Sequence, residues 1–246
     1  MLGQYVGLFN GSRIDASGDA GGGSVFVGGN FHGTGPDQNA FQTYVDGNSS
    51  INASAISRGN GGNVAVWSND STKFYGNISA RAGNTGGDGG FVEVSGKNAL
   101  VYAGFTDLRA PSGQVGTLLL DPNDLTVVHA AASTGTNVTC TPGTCLLPTV
   151  APFTDTATAS GAQITDGSLN LQLATGNVTV NGDGITSNTD VSIDLVAHTL
   201  NYNSTAGIWL GGTYTSTVVG GTLNLSFATT LDLTPVHNVA GVVTVS

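Results

Sequence analysis

Residues 59–68 read Gly59-Asn60-Gly61-Gly62-Asn63-Val64-Ala65-Val66-Trp67-Ser68. A glycine pair leads into alternating apolar residues, the pattern of a short strand with one face turned inward. The pattern recurs upstream as Gly22-Gly23-Ser24-Val25-Phe26-Val27 and downstream as Gly89-Gly90-Phe91-Val92-Glu93-Val94. A second element interleaves with it. It appears as Phe9-Asn10-Gly11-Ser12-Arg13-Ile14-Asp15-Ala16, as Val45-Asp46-Gly47 leading to Ile51-Asn52-Ala53, as Phe74-Tyr75-Gly76-Asn77-Ile78-Ser79-Ala80, and around Tyr102-Ala103-Gly104-Phe105. Gly47, Gly76 and Gly104 recur at a spacing of about 28 residues. The interval from Gly11 to Gly47 is longer, with Gly33-Thr34-Gly35-Pro36-Asp37-Gln38-Asn39 as the insertion.

A repeat of this length cannot bury its apolar face alone and must stack on its neighbours. Helical repeats are excluded. The chain has no useful stripe of helical period, and each interior glycine would cost a helix about 1 kcal/mol. Propeller blades, at roughly 40–45 residues, are too long for the spacing. The fold predicted is all-β, a right-handed parallel β-helix. Equivalent residues would stack about 4.7–4.9 Å apart. Glycines would supply positive φ at the corners, and Asn, Ser and Thr would form hydrogen-bonded ladders.

Composition divides the chain. Residues 1–125 are predicted as Gly-rich coils, 126–163 as a linker or excursion, and 164–246 as a second β-rich region that continues the solenoid or packs on it end-on. All the basic residues, Arg13 to Arg109, precede the boundary. In the second half the predicted strands are 168–173, 177–180, 191–197, 207–210, 222–228 and 242–245. Gly-Ile recurs at 184–185 and 207–208, and 191–197 and 223–228 read as one strand in successive coils. In the excursion, Pro142-Gly143 forms a turn between Cys140 and Cys145 that can bring them within disulfide range. The alternative is two free thiols.

The 246 residues include 38 Gly, and only 9% are charged, for a net charge of −10. Nucleic-acid binding by phosphate neutralisation is excluded, because it needs a basic surface. Docking to anionic lipid would need a polybasic patch. No run approaches the roughly 20 apolar residues of a membrane span, so no membrane insertion is expected. The first residues show no signal-peptide pattern. Yet the scarcity of Lys and the wealth of Gly, Asn, Ser and Thr suit an exported protein. The chain reads as a segment of a longer one.

The succession from Gly59 to Ser68, Phe74 to Ala80, Gly86-Gly87-Asp88-Gly89-Gly90-Phe91-Val92-Glu93-Val94-Ser95-Gly96, and Gly116-Thr117-Leu118-Leu119-Leu120-Asp121-Pro122-Asn123-Asp124-Leu125-Thr126-Val127 resembles the two-partner-secretion exoproteins. These are the filamentous-haemagglutinin-like adhesins of Gram-negative bacteria. The resemblance covers about residues 15–128 well and 164–230 loosely. It implies a parallel β-helix exported through an outer-membrane β-barrel transporter and then displayed or released as an adhesin. Its partners would be host-cell or matrix glycans or proteins. The family's N-terminal secretion domain, with its Asn-Pro-Asn motifs, is not present here, where the nearest tripeptide is Asp121-Pro122-Asn123. Cysteines are also unusual in that class. Open coil edges add an expectation of end-to-end self-association.

Other parallel β-helices cleave polysaccharides, which needs clustered carboxylates with a positioned base or a calcium ion. Asp121 and Asp124 with Arg109 form the closest candidate group, although Asp121-Pro122 also reads as a turn. Asp88 and Asp183 sit in glycine loops without the nine-residue period of calcium repeats and read as turn aspartates. His32, His129, His198 and His237 stand apart from one another and from the cysteines, so the spacing indicates no metal site and no cofactor. The sequons at Asn48, Asn52, Asn69, Asn77, Asn137, Asn177, Asn203 and Asn224 fit ladder positions, with glycan attachment as the alternative. Most aromatics should stack inside the solenoid. Tyr44 and Trp67, each ending an apolar run beside polar residues, are the candidate ligand contacts. The functional expectation is a non-enzymatic, adhesive segment of a secreted or surface exoprotein. A β-helical polysaccharide lyase or hydrolase and a spacer without ligand are the alternatives.

Overall fold

A computed structural model of the chain describes residues 1–129, 162–233, 236–239 and 242–245. Cys140 and Cys145 lie outside the described residues. About 50% of the chain is strand and 5% helix. Every pair of strands among the described residues is parallel.

The chain winds as a solenoid-like stack with three faces. The first coils each supply three strands. They are β1 (Tyr5–Leu8), β2 (Arg13–Asp15) and β3 (Ser24–Val27), then β4 (Gln42–Val45), β5 (Ser50–Asn52) and β6 (Asn63–Ser68). Next come β7 (Ser71–Phe74), β8 (Asn77–Ser79) and β9 (Phe91–Gly96), then β10 (Ala99–Tyr102), β11 (Phe105–Asp107) and β12 (Thr117–Leu120). Strands β3, β6, β9 and β12 stack in the register the repeat predicts, with Val25 beside Val64 and Val64 beside Val92. The interleaved element forms its own four-stranded ladder, β2-β5-β8-β11. Hydrogen-bonded partners in successive coils, such as Asp88 with Asn60 and Asn98 with Asp70, are 28 residues apart.

The glycine pairs form the corner between two faces. The Gly62 N–H donates to the Ala53 carbonyl at 2.7 Å, and Gly23, Gly90 and Gly116 make the equivalent bond to Ala16, Ala80 and Leu108. Backbones meet so closely there that a Cβ on Gly62 would lie 2.0 Å from the Gly23 carbonyl oxygen. No side chain fits, and this explains the repeated pairs better than turn geometry does.

The stack is then interrupted. Strand β13 (Asp124–Val128) follows β12, and after residues 130–161 come β14 (Ala162–Thr165), α1 (Asp166–Leu173) and β15 (Asn177–Ser187). In space β14 lies between β10 and β13, so the returning chain intercalates one level before the strand that left. Residues 168–173, expected as a strand, are instead helical. The Thr165 hydroxyl caps the helix by accepting from the Ser168 N–H at 3.0 Å. Burial falls on Leu169, Gln172 and Leu173, the spacing of a helix face, while Leu171 is 41% exposed. A helix, roughly 10 Å wide, fills about two strand levels. It packs between β11 and β16 (Ser192–Asp194).

A helix cannot extend a ladder with its backbone, so its side chains do so. The Asn170 amide accepts from the Asp194 N–H at 2.8 Å and donates to the Ser192 carbonyl at 2.9 Å. Asp166 accepts from the Ser192 N–H at 2.9 Å. On the other side, Gln172 Oε1 accepts from the Thr106 N–H at 3.0 Å, and the Thr175 hydroxyl donates to the Thr106 carbonyl.

Beyond this coil two strands of 11 residues, β15 and β17 (Thr199–Trp209), continue through the corner with a register shift at Gly182–Gly184. Strand β15 pairs with β12 and then with β13, and β17 runs beside it. Gly184 and Ile185 pair with Gly207 and Ile208, as their repetition predicts. The remaining strands are β18 (Gly212–Thr215), β19 (Thr222–Phe227), β20 (Thr230–Asp232), β21 (Val236–Val239) and β22 (Val242–Val245). Residues 191–197 and 223–228 are not one strand repeated. Strand β16 pairs with β18, whereas β19 pairs with β17 and β22 on another face. Coil length here varies from 20 to 25 residues, with 22 and 23 in the pairs Asn201–Thr179 and Asn224–Asn201, so similar strings fall on different faces. One apolar core runs from Val6 to Leu225 through both halves.

Candidate functional site

The insertion in the first interval builds the most chemically distinctive surface. Residues 28–40 fold over the outward side of β6 and β9. Phe31 packs its ring 5.7 Å from Phe26 and 5.3 Å from Phe91. Gly33, at φ +60°, lies so close to Trp67 that a Cβ there would meet the indole at 2.4 Å. The segment therefore covers outward positions that solvent would otherwise reach.

One of those positions is Glu93. It sits in register with Ala65 and Leu119 on the neighbouring strands and is fully buried. Its Oε2 accepts from the His32 backbone N–H at 2.9 Å, while Oε1 has no hydrogen-bond partner. Burial pushes the Glu93 carboxyl above the usual carboxylate range, against the pull of His32. His32 holds a left-handed backbone conformation (φ 55°, ψ 22°), rare outside glycine and costly in strain. That conformation sets its Nδ1 3.3 Å from Asp121 Oδ2. Asp121 is positioned in turn by its own N–H, which donates to the Ser95 hydroxyl. One nitrogen and two carboxylate oxygens of His32, Glu93 and Asp121 thus lie within 4.8 Å of one another. The cluster opens into a groove of about 330 Å³, which continues past Lys97 and Asn123 to Asp183 and Thr205 on later coils. A carboxylate-rich pocket with one imidazole suits a cation, or a proton held between carboxyl groups.

No family model matches this chain. No curated protein matches it either.

The structure separates the residues that sequence spacing had grouped. Asp121 belongs to the cluster, but Asp124 accepts from the Gly184 N–H at 2.9 Å and serves the ladder. Arg109 is held by Asp107, 2.6 Å away, on a different face. Of the candidate ligand contacts, Tyr44 is 2% exposed; it lies outside the apolar core cluster and is covered by Phe9, stacked at 5.3 Å, and Tyr75 at 5.7 Å. Trp67 is 7% exposed beneath Gly33, with its edge lining the groove. Expected as turn residues, Asp88 instead lies in the extended stretch before β9 and Asp183 within β15 at its register shift; each accepts from the next coil, from the Gln114 N–H and the Thr205 hydroxyl. Asn203 and Asn224 join side-chain ladders with Asn181 and Asn201. His129 pairs with Asp166 at 2.6 Å, which raises its pKa, and His198 hydrogen-bonds the Leu173 carbonyl. Glu93 is the residue that spacing missed. Its signal was its rarity, since it is the one glutamate in the chain and occupies a repeat position that is apolar in neighbouring coils.

Proposed function

We propose that the chain is a right-handed parallel β-helix serving as a structural and adhesive segment of a large exoprotein of the filamentous-haemagglutinin-like kind. Right-handedness follows from the general rule for crossovers between parallel strands. The observation that carries the reading is the single core running through both halves, beneath faces that expose few charges. Such a stack is a stiff rod, and a stiff rod presents a surface at a distance. Binding would be by shape and many weak polar contacts, with the groove beside Trp67 and Lys97 as the candidate contact surface. The partners proposed are a host-cell or matrix glycan or protein, and an outer-membrane β-barrel transporter acting through a secretion region of the longer protein. The place of action is the outer surface of a Gram-negative bacterium or the medium. Among the described residues no helix is long and apolar enough to cross a membrane.

The test is retention of the purified chain on host-type cells and immobilised polysaccharides, with reducing ends counted in the same wells. Retention without new reducing ends, weakened by Trp67→Ala or Lys97→Ala, supports the adhesive reading. New reducing ends lost in Glu93→Gln would replace it with polysaccharide cleavage by the Glu93 and Asp121 carboxylates. Neither signal would leave a spacer. Sedimentation at rising concentration tests end-to-end association.

A further inference from the structure

The groove cluster carries an inference that does not depend on adhesion. We infer that His32, Glu93 and Asp121 form a binding site for a divalent transition ion of the zinc type, which fastens residues 28–40 to the outer face of the solenoid. Three observations support it. The first is the donor set. An imidazole nitrogen with two carboxylates favours zinc over calcium, which takes six to eight oxygen ligands. Two ionised carboxylates also balance the ion's charge.

The second is spacing. Around a tetrahedral ion with bonds of about 2.0–2.1 Å, neighbouring ligand atoms lie about 3.3–3.4 Å apart. His32 Nδ1 and Asp121 Oδ2 are 3.3 Å apart. All three donors fall within 4.8 Å, a gap that a modest carboxylate rotation closes.

The third is Glu93 itself. A fully buried carboxyl oxygen with no partner is costly, and the same carboxylate offers an oxygen to the cluster. A cation supplies the missing partner. His32 and Asp121 are partly exposed, 52% and 29% at the side chain, so an ion can enter from the groove. The donors come from the inserted segment, from β9 and from the turn after β12. An ion there therefore ties elements far apart in sequence. Three protein ligands leave a coordination position open toward the groove.

The site is tested with zinc chloride on the full chain carrying Cys140→Ser and Cys145→Ser, which removes thiol ligation. Calorimetry should show one ion per chain, and zinc should raise the unfolding temperature. His32→Gly deletes the imidazole while relieving the left-handed strain, and Glu93→Gln keeps the shape of the buried side chain. Each, with Asp121→Asn, should weaken zinc binding about tenfold or more, with the metal-free circular dichroism spectrum unchanged. Calcium should not substitute. Absence of uptake at millimolar zinc would overturn the site, as would affinity that survives all three substitutions. If Glu93→Gln alone bound zinc as the parent does, a proton rather than an ion would be the partner of Oε1, and the assignment would fail.

Discussion

The four-stranded ladder of the first coils and the three-stranded ladder of the last occupy the same face of the stack but are maintained differently. Before residue 121 a coil takes about 28 residues, apart from the first with its insertion, and turns its corner by pressing glycine backbone onto backbone. After residue 177 the coils shorten to 20–25 residues, β15 and β17 continue through the corner, and amide side chains run between coils. Asn201 donates to Thr179 at 3.0 Å and accepts from Asn224 at 2.8 Å. The glycine corner is compact but intolerant of any side chain. The amide ladder tolerates volume but needs a correctly polar residue at every level. Between them, α1 carries both problems at once, since it must satisfy two strand edges with side chains alone.

Substitution should cost most at a glycine corner. Gly62→Ala should cost about 3 kcal/mol, because its Cβ has only backbone to meet and the coils must part. Hydrogen exchange should show β3, β6 and β9 losing protection while β17 and β19 keep theirs. A uniform loss would mean that the two halves unfold as one unit.

Next in size is the junction. Gln172→Leu keeps the buried volume but leaves the Thr106 N–H without its acceptor, at a cost of about 2 kcal/mol in urea unfolding. Gln172 is 2% exposed, so water cannot replace it. If the variant were as stable as the parent, the helix would not be standing in for a strand.

The ladder should respond less. Asn201→Ala removes two side-chain hydrogen bonds at a half-buried site and should cost about 1 kcal/mol. Asn203→Ala, at a more exposed level, should cost less, and equal losses at the two positions would argue against a ladder graded by burial.

The smallest effect is in pH. Burial would raise the Asp107 carboxyl, but the Arg109 side chain and N–H, with Arg81, outweigh it and hold it below its ordinary 3.8. As pH falls, the unfolded chain therefore takes up this proton first. The stabilisation is complete above the ordinary value and is lost as pH falls through the lowered one. Acid titration of thermal stability should show this component in the parent and lose it in Arg109→Met. In the later coils, where no Lys or Arg follows Arg109, burial would raise the Asp194 carboxyl but hydrogen bonds from Thr217 and the Val196 N–H hold it low, so its component should survive Arg109→Met.

Local pattern and tertiary contact divided the work unevenly. The alternation at 24–27, 63–66 and 91–94 and the paired glycines were enough to place β3, β6 and β9 in register, because the inward period of a strand is two residues. The same rule misread 168–173. Leu169-Asn170-Leu171-Gln172-Leu173 alternates as a strand does, but Asn170 and Gln172 are polar because strand edges need amides there. Cluster chemistry was less legible still. His32, Glu93 and Asp121 are separated by whole coils, and no spacing rule links them until the insertion folds back.

The sequence by itself determined the repeat, the inward faces and the glycine corners, because strand alternation and backbone crowding act between residues close along the chain or one period apart. The stacking of the second half's strands, the helix in place of one strand and the meeting of a buried glutamate with a histidine and an aspartate came from contacts between coils. Those outcomes depend on which polar groups remain unsatisfied once the coils are stacked, and that is a property of the assembled stack.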